Sequence, residues 1–190
     1  MATTEQDEFD KIILGIDPGT NIMGYGLLGC LGKKYQIISV GAIDLSKFDG
    51  HPAKLKKIFE RTLYLADTYK PDELAIEAPF YGKNIQSMLK LGRAQGVAMA
   101  AALQREIPIF EYAPRKTKQS ITGSGNASKE QVAAMLQTLL KFEEMPKHLD
   151  ATDGLAVAVC HYFQNNSLKG KGAKSGSWES FVKNNPGRVK

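Results

Sequence analysis

Four carboxylates lie where apolar segments of this sequence begin or end. Asp17 closes the run KIILGID, Glu77 lies inside LAIEAPF, and Asp150 and Asp153 open the segment DATDGLAVAVCHY. Carboxylates avoid apolar surroundings unless something compensates their charge. Asp150 and Asp153 are three residues apart, so a helix would carry both on one face. A shared cation would compensate all four acids at once.

Each acid taken alone also has a structural explanation. Asp17 precedes Pro18 and Gly19, and Asp-Pro-Gly is favourable turn chemistry. Asp150 suits a helix cap, and Asp153 in the first turn suits the helix dipole. Glu77 is the hardest to explain in this way, because an uncompensated charge inside a strand-like segment is costly. The chemical interpretation therefore depends on the four acids being together.

Clustered carboxylates repel one another and take up protons unless a divalent cation supplies the opposite charge. An all-oxygen ligand set without cysteine favours Mg²⁺ or Mn²⁺ over zinc. Two such ions roughly 3.5–4 Å apart are the standard arrangement for in-line phosphodiester cleavage, one activating water and one stabilising the departing oxygen. We therefore predict a site for two Mg²⁺ ions, with Mn²⁺ as the alternative, at Asp17, Glu77, Asp150 and Asp153.

Apolar periodicity and turn residues predict five strands and four helices that would position these acids. The strands are expected at residues 11–17, 25–30, 35–43, 72–78 and 107–112, and the helices at 52–69, 84–106, 128–142 and 150–164. Residues 113–127 are expected to form a loop, and Ser128 and Gln131 have the spacing of a capping box at the start of the helix that follows. Three strands in a meander, followed by strands alternating with helices, predict an α/β domain of ribonuclease-H-like architecture, a mixed five-stranded sheet flanked by helices. In such a sheet the first and fourth strands are neighbours, and the last helix can pack across them. The four acids would then converge.

Composition fits one globular domain. The 190 residues are 43% hydrophobic, no apolar run reaches membrane-spanning length, and the acidic opening MATTEQDEFD is unlike a signal peptide. Only Cys30 and Cys160 are present, so neither a disulfide framework nor a cysteine-based zinc site is indicated, and we expect a cytoplasmic protein. We predict a flexible acidic leader at 1–10, a nuclease domain at 11–164 and a disordered tail at 165–190.

The net charge of +5 lies mostly at the carboxyl end of the chain. Residues 165–190 contain six Lys or Arg and only one acid, whereas the rest of the chain is balanced. Charge alone therefore permits nucleic-acid binding without requiring it.

Several ordered motifs resemble the RuvC family of Holliday-junction resolvases. They are ILGIDPGTNIMGYGLL, AIEAPFYGKNIQSMLKLGRAQGVAMAAA, FEYAPRKTKQSITGSGNASKEQV and DATDGLAVAVCH, which together span about residues 11–164. The resemblance implies a structure-specific endonuclease that resolves four-way DNA junctions by paired symmetric nicks in homologous recombination and DNA repair. It also implies metal-binding catalytic acids at the four positions named above, although some relatives carry His at the position of Asp150.

The resemblance also implies DNA contacts. The aromatic residue that wedges open the junction falls on Phe80, with Tyr81 as a second candidate; stacking on an unpaired base is worth about 1–3 kcal/mol. A basic segment would engage phosphates, which position DNA without reading its sequence. Its members are Arg115, Lys116, Lys118 and Lys129, and weaker candidates on the long helix are Asn84, Ser87 and Arg93. Strand-end packing for Phe80 and simple solvation of the basic loop are the structural alternatives.

RuvC proteins act as homodimers, so the resemblance implies a two-fold symmetric dimer that presents one active site to each of two junction strands. The small residues Gly92, Gly96 and Ala98 of the long helix fit such an interface, and they fit packing on the parent sheet equally well. Family members work with a RuvA–RuvB branch-migration complex, which is therefore an expected partner, and no membrane partner is expected.

Three other functions remain open on the sequence. Another ribonuclease-H-like nuclease, such as an RNase H or a ribosomal-RNA-processing enzyme, would share the acids without needing the wedge or the dimer. The stretch DPGTNIMGYG is similar to the phosphate loop of sugar kinases and actin-like ATPases, although no second phosphate loop is evident. A catalytically inactive DNA-binding module is the third, and nothing in the acid pattern favours it.

Overall fold

The computed structural model describes residues 9–79, 84–141 and 149–171, with side chains as far as residue 166. Its strands are β1 Lys11–Asp17, β2 Ile22–Leu31, β3 Lys34–Asp44, β4 Glu73–Glu77 and β5 Ile109–Tyr112. Its helices are α1 Gly50–Tyr69, α2 Ile85–Leu103, α3 Pro114–Thr122, α4 Lys129–Leu140 and α5 Leu149–Lys171. None of the helices in these ranges is long and apolar enough to cross a membrane.

The strands form one sheet in the order β3-β2-β1-β4-β5. β1, β2 and β3 are antiparallel neighbours, and β4 and β5 continue the sheet parallel to β1. The turn between β2 and β3 contains Gly32 at φ 58°, a left-handed conformation that glycine adopts without steric cost. The predicted mixed five-stranded sheet flanked by helices is confirmed, including the adjacency of the first and fourth strands.

Side chains alternate between two core layers along the central strands. In β1, Ile12, Leu14 and Ile16 pack with residues of α1 and α2, whereas Ile13 packs with residues of α3, α4 and α5. In β4, Leu74 and Ile76 belong to the first layer and Ala75 to the second. This alternation puts Asp17 and Glu77, in step with Ile13 and Ala75, on the side that α5 covers.

The segment 113–127 was predicted to be a loop, and this prediction was wrong in its first part, which is α3. Pro114 occupies the first turn, where its missing N–H costs nothing. Thr117 and Ile121, four residues apart, supply the buried face, and Gly123 at φ 78° ends the helix. The short apolar face was hidden among Lys, Gln and Ser. The capping box of Ser128 with Gln131 at the start of α4 is confirmed.

The folded part is longer at both ends than predicted. Phe9 packs over Gly29, and the Asp10 amide donates to the Cys30 carbonyl at 2.9 Å. Two residues that were assigned to the leader therefore extend β1 at its amino end. α5 was expected to end near residue 164 but continues to Lys171. Its extension has a physical reason, because the Asn165 amide lies 3.1 Å from His161 Nε2 and 3.4 Å from Glu73 Oε2. The leader and tail beyond these points, residues 1–8 and 172–190, lie outside the described residues.

Candidate active site

The first turns of α5 lie directly on β1 and β2, because glycines remove the side chains that would separate them. A Cβ atom on Gly24 would lie 1.9 Å from the Asp150 carbonyl oxygen, and one on Gly15 would lie 2.2 Å from that of Gly154. A Cβ on Gly154 would in turn lie 2.5 Å from Cα of Tyr25. These distances are far below van der Waals contact, so the close crossing requires glycine at all three positions.

This crossing brings the acids of β1 and α5 together. Asp17 is opposite Gly24 in the register of β1 and β2, and Gly24 lies under Asp150. β4 is the parallel neighbour of β1 and ends at Glu77 on the same edge of the sheet. The side chain of Asp153 is 15% exposed and that of Asp150 is 35% exposed, so the cluster opens to solvent from the Asp150 side.

Burial and mutual repulsion perturb three of these carboxyl groups. Burial raises the pKa of Glu77 to about 8, with the charges of Asp17 and Asp153 adding to the effect. Burial also raises the pKa of Asp17 to about 6, again with help from Asp153. The pKa of Asp153 is raised by burial too, against the lowering effect of Lys129. The three acids act electrostatically on one another, as a shared site requires.

Lys129, at the start of α4, supplies a positive charge to the cluster. Its Nζ donates to Asp153 Oδ2 at 2.6 Å and to Asp150 Oδ1 at 3.0 Å. Burial acts to lower the pKa of Lys129, yet its bonds to Asp153 and Asp150 outweigh burial and raise the pKa, so the ammonium form persists. Lys129 was predicted to contact DNA phosphates, and in the structure it is hydrogen-bonded to Asp150 and Asp153.

The chemistry of the donor set fits hard divalent cations, since every acid presents carboxylate oxygens. Within the described ranges, no three Asp, Glu, His or Cys side chains are yet arranged as a ready set of metal ligands. The ammonium of Lys129 lies between two of the carboxylates and occupies oxygens that a metal ion would use. Because they cluster and present carboxylate oxygens, the residues that could hold a metal are Asp17, Glu77 and Asp153, with Asp150 at the open side.

The other basic candidates lie on or beside α3. Lys118 is close enough to Glu77 and Asp153 to lower the pKa of each, so it borders the acid cluster. Arg115 and Lys116 are exposed, and the Arg115 side chain lies over Gly125. The structure thus brings Lys118 to the acids and leaves Arg115 and Lys116 on the adjoining surface.

The remaining DNA candidates lie in the first half of α2 or before it. Asn84 caps the helix, its Oδ1 accepting from the Ser87 amide at 3.1 Å, which gives Asn84 a structural role that sequence reasoning had not assigned. Ser87 and Arg93 are exposed. The two aromatic candidates for the wedge, Phe80 and Tyr81, lie outside the described residues.

A buried polar network that the sequence did not reveal joins α5 to β4 and β5. His161 is fully buried, and its Nε2 lies 2.6 Å from Glu73 Oε2 while its Nδ1 lies 2.6 Å from the Tyr112 hydroxyl. Lys11 donates to the other Glu73 oxygen at 2.7 Å. Glu73 precedes Glu77 by four residues on the same strand, so this network holds α5 in register with the strand that carries Glu77. A polar residue within the apolar run LAVAVCHY was the available signal.

A second such contact supports the strand ends from the opposite face. The buried Gln95 of α2 donates to Glu111 Oε2 at 2.8 Å and lies 3.4 Å from the Glu77 carbonyl. Because Gln95 stands alone among small residues, its polarity was a signal that sequence reasoning passed over.

Comparison with known proteins agrees with this geometry. Residues 13–161 match the family described as Crossover junction endodeoxyribonuclease RuvC. Proteins of that name from Cytophaga hutchinsonii and Bacteroides fragilis are 62% and 61% identical to this chain, covering 95% of it and 89% and 97% of their own lengths. A solved structure, T. thermophilus RuvC in complex with Holliday junction substrate, superposes with a TM-score of 0.75 at 29% identity, over 82% of this chain and 94% of that one. The predicted ribonuclease-H-like fold is thereby confirmed. The chain belongs to the RuvC family of crossover junction endodeoxyribonucleases.

Proposed function

We propose that this protein resolves four-way DNA junctions by paired symmetric nicks, in homologous recombination and DNA repair. The observation that carries the proposal is the cluster of Asp17, Glu77 and Asp153 at one sheet edge, in a chain of the RuvC family. A T. thermophilus relative is described in complex with a Holliday junction substrate, which supports the same substrate here.

The acids would hold Mg²⁺, two ions per site, with Mn²⁺ as an alternative. When bound, the ions supply an activated water and neutralise charge on the departing oxygen. Asp17, Glu77 and Asp153 are buried enough to fix the direction of their oxygens, whereas Asp150 at the open side is the more replaceable ligand.

The chain's own cations would orient the strand to be cut. Lys118 borders the acids, and the Lys129 ammonium already lies within hydrogen-bonding distance of two of them. A phosphate approaching the cluster would meet these two charges first. Arg115 and Lys116 extend the same positive surface outward, and Asn84, Ser87, Arg93, Phe80 and Tyr81 remain proposed DNA contacts.

We infer that the active form is a homodimer joined through α2. Ile85, Leu89 and Leu103 are 67%, 50% and 60% exposed, and a Cβ on Gly92 or Gly96 would meet nothing within 4 Å in the described part of the chain. Positions 85, 89, 92 and 96 are separated by steps of four, three and four, and position 103 follows one heptad later, a spacing typical of the contact face of paired helices. Ala98 is excluded from this face, since it is fully buried in its own core.

A RuvA–RuvB complex remains the proposed cellular partner, and the cytoplasm the proposed location. Both follow from family membership.

Replacing one acid tests the proposal. We expect Asp17→Asn or Glu77→Gln to reduce junction cleavage by at least about a hundredfold, because metal stabilisation of transition-state charge is worth several kcal/mol. Junction binding, measured by fluorescence anisotropy in Ca²⁺, should remain near the wild-type level.

The control compares different nucleic-acid substrates with the same wild-type protein. Wild-type protein with Mg²⁺ should nick a mobile four-way junction symmetrically and leave plain duplex and RNA–DNA hybrid intact. Equal cleavage of the hybrid would point to an RNase H activity instead, and full cleavage by either purified variant would overturn the assignment of the acids.

A further inference from the structure

A cavity of about 330 Å³ lies between the loop that follows β1, the start of α1 and one side of α2. Its basic lining residues are His51, Lys54 and Lys90, and its single acidic lining residue is Asp49. Phe48 contributes an apolar wall. Neither the metal chemistry nor the DNA contacts assigned above use His51, Lys54 or Lys90.

The cavity opens at the same sheet edge as the acid cluster. Asp17 ends β1 opposite Gly24, and Asp44 ends β3 opposite Ile22, so the loop at 18–21 and the chain leading into α1 both leave the sheet on that edge. Thr20 and Asn21, which line the cavity, follow Asp17 by three and four residues. The cavity therefore lies at the edge of the sheet where the acids cluster, toward the layer formed by α1 and α2.

Positive charge converges on the cavity from two helices. Lys54 of α1 donates to the Thr20 carbonyl and to Asn21 Oδ1, both at 3.1 Å, which uses two of its three donors. The pKa of His51 is lowered by burial and also by the charges of Arg93, Lys90 and Lys54, so all three cations lie close to it. Among the residues that line the cavity, Asp49 supplies the one carboxylate that opposes these positive charges.

One polar atom at this site has no hydrogen-bond partner among the described residues. His51 Nε2 is buried and makes no hydrogen bond within the described structure. A buried polar atom without a partner is costly, and in the tautomer that carries the proton on Nε2 an incoming oxygen acceptor would satisfy it. The first turn of α1 contains no acidic residue and Asp49 makes no side-chain cap, so the helix dipole adds to the attraction for an anion.

We propose that this cavity, called here the Lys90 pocket and defined by His51, Lys54 and Lys90, binds a backbone phosphate of the DNA strand that continues past the acids. The inference rests on the proposed junction-cleaving function and names a further contact of the same substrate. A phosphate supplies the acceptor that His51 lacks and the negative charge that the lysines attract. The pocket would thus fix the path of the strand away from the cut.

The first test is the salt dependence of junction binding by full-length Lys90→Gln, measured in Ca²⁺. Losing one phosphate contact should reduce the slope of log affinity against log salt by about 0.9 and weaken binding about fivefold to tenfold at 0.1 M salt. Lys33→Gln is the matched control, since Lys33 is exposed in the turn after β2, at the opposite edge of the sheet, and should leave both values unchanged.

The second test locates the phosphate. Junctions carrying one neutral methylphosphonate at successive positions beside the cut should include one position where wild-type affinity falls as much as in Lys90→Gln, with no further loss when the two changes are combined. The proposal that the pocket contacts DNA would be overturned if the affinity losses from the methylphosphonate and from Lys90→Gln added at every position. An unchanged salt slope in Lys90→Gln would overturn it as well. The proposal would also be overturned if millimolar inorganic phosphate bound at His51 without competing with the junction for the protein. If wild-type protein cuts no junction, the proposed function fails instead, so the two failures are distinguishable.

Discussion

At the scale of single residues, the site consists of carboxylates that are poorly solvated and close to one another. Burial raises the pKa of Glu77 to about 8 and that of Asp17 to about 6. Lys129 offsets the charge of the cluster through hydrogen bonds to Asp150 and Asp153. A carboxyl group whose pKa is raised on folding stabilises the folded chain when protonated and destabilises it when ionised. Without metal, the acids that serve chemistry therefore weaken the fold at neutral pH.

The sign of this effect gives a pH-dependent prediction for Glu77→Gln. The contribution of Glu77 to stability is present below about pH 4.5 and is lost as pH rises through about 8. At pH 8.5, metal-free Glu77→Gln should therefore have a melting temperature above that of wild type, by about 2–4 °C for each kcal/mol of destabilisation that the substitution removes. At pH 4.5 the two melting temperatures should be nearly equal. Differential scanning fluorimetry in EDTA measures both.

The matched control is Glu60→Gln, an exposed acid of α1 that lies 3.8 Å from Lys56 and should change the melting temperature little at either pH. Added Mg²⁺ should reverse the order of wild type and Glu77→Gln at pH 8.5. A variant less stable than wild type in EDTA at that pH contradicts the electrostatic account.

At the scale of elements, the position of α5 decides the geometry of the site. Its first turns touch β1 and β2 at Gly15 and Gly24, and two turns later His161 bonds to Glu73 and Tyr112. Because these two sets of contacts lie about two turns apart along α5, they fix both the translation and the rotation of the helix. The direction in which Asp150 and Asp153 point is therefore set by contacts that involve neither carboxyl group.

Gly154→Ala tests the close crossing. The added methyl group would meet backbone atoms of Gly24 and Tyr25 at 2.5–2.6 Å, so α5 must move. We expect a loss of stability of about 1–3 kcal/mol by urea titration and a fall in cleavage of up to about a hundredfold, because an ångström of misplacement has that effect on catalysis.

Junction binding by Gly154→Ala should survive, since Lys118 and the exposed Arg115 and Lys116 lie on α3 rather than on α5. Wild-type cleavage by a fully folded Gly154→Ala protein would show that the helix tolerates a wider separation from the sheet.

At the scale of the whole molecule, the sheet assembles one functional edge. The carboxyl ends of β1 and β4, the start of α1, the start of α2 and the first turn of α5 all meet there. The exposed seam of α2 runs from this edge along the outside of the molecule. A second copy docked on that seam would carry a second active site at a defined separation from the first.

Leu89→Glu tests the seam. A charge at this 50% exposed position should shift the protein to a monomer by light scattering and cause singly nicked junctions to accumulate, because the two cuts would no longer be paired. Leu31→Glu is the control, since Leu31 is 49% exposed at the far end of β2 and should leave the dimer intact. A monomeric wild type, or a dimeric Leu89→Glu, argues against an interface on α2.

The four acids stand out in the sequence because strand ends and a helix start are local signals. The apolar run before Asp17, the segment around Glu77 and the spacing of Asp150 and Asp153 were each readable without a partner, and the sheet order followed from the meander. Each acid taken alone also had a structural explanation, and their convergence required the fold.

What escaped prediction depends on contacts between distant segments. α3 was missed because its buried face consists only of Thr117 and Ile121 within a polar stretch. The pairing of Lys129 with Asp150 and Asp153 requires the docking of α4 beside α5, which no local pattern encodes. The bond between Glu73 and His161 likewise joins residues far apart in the chain.

The order of the acids along the chain has a consequence for the newly made protein. Asp17 and Glu77 emerge early during synthesis, whereas Asp150 and Asp153 arrive on the last helix described, which must then dock across strands already formed. A nascent polypeptide in which α5 has not yet been made therefore lacks two of the four proposed metal ligands, Asp150 and Asp153. We expect such a polypeptide to leave DNA uncut without any inhibitor.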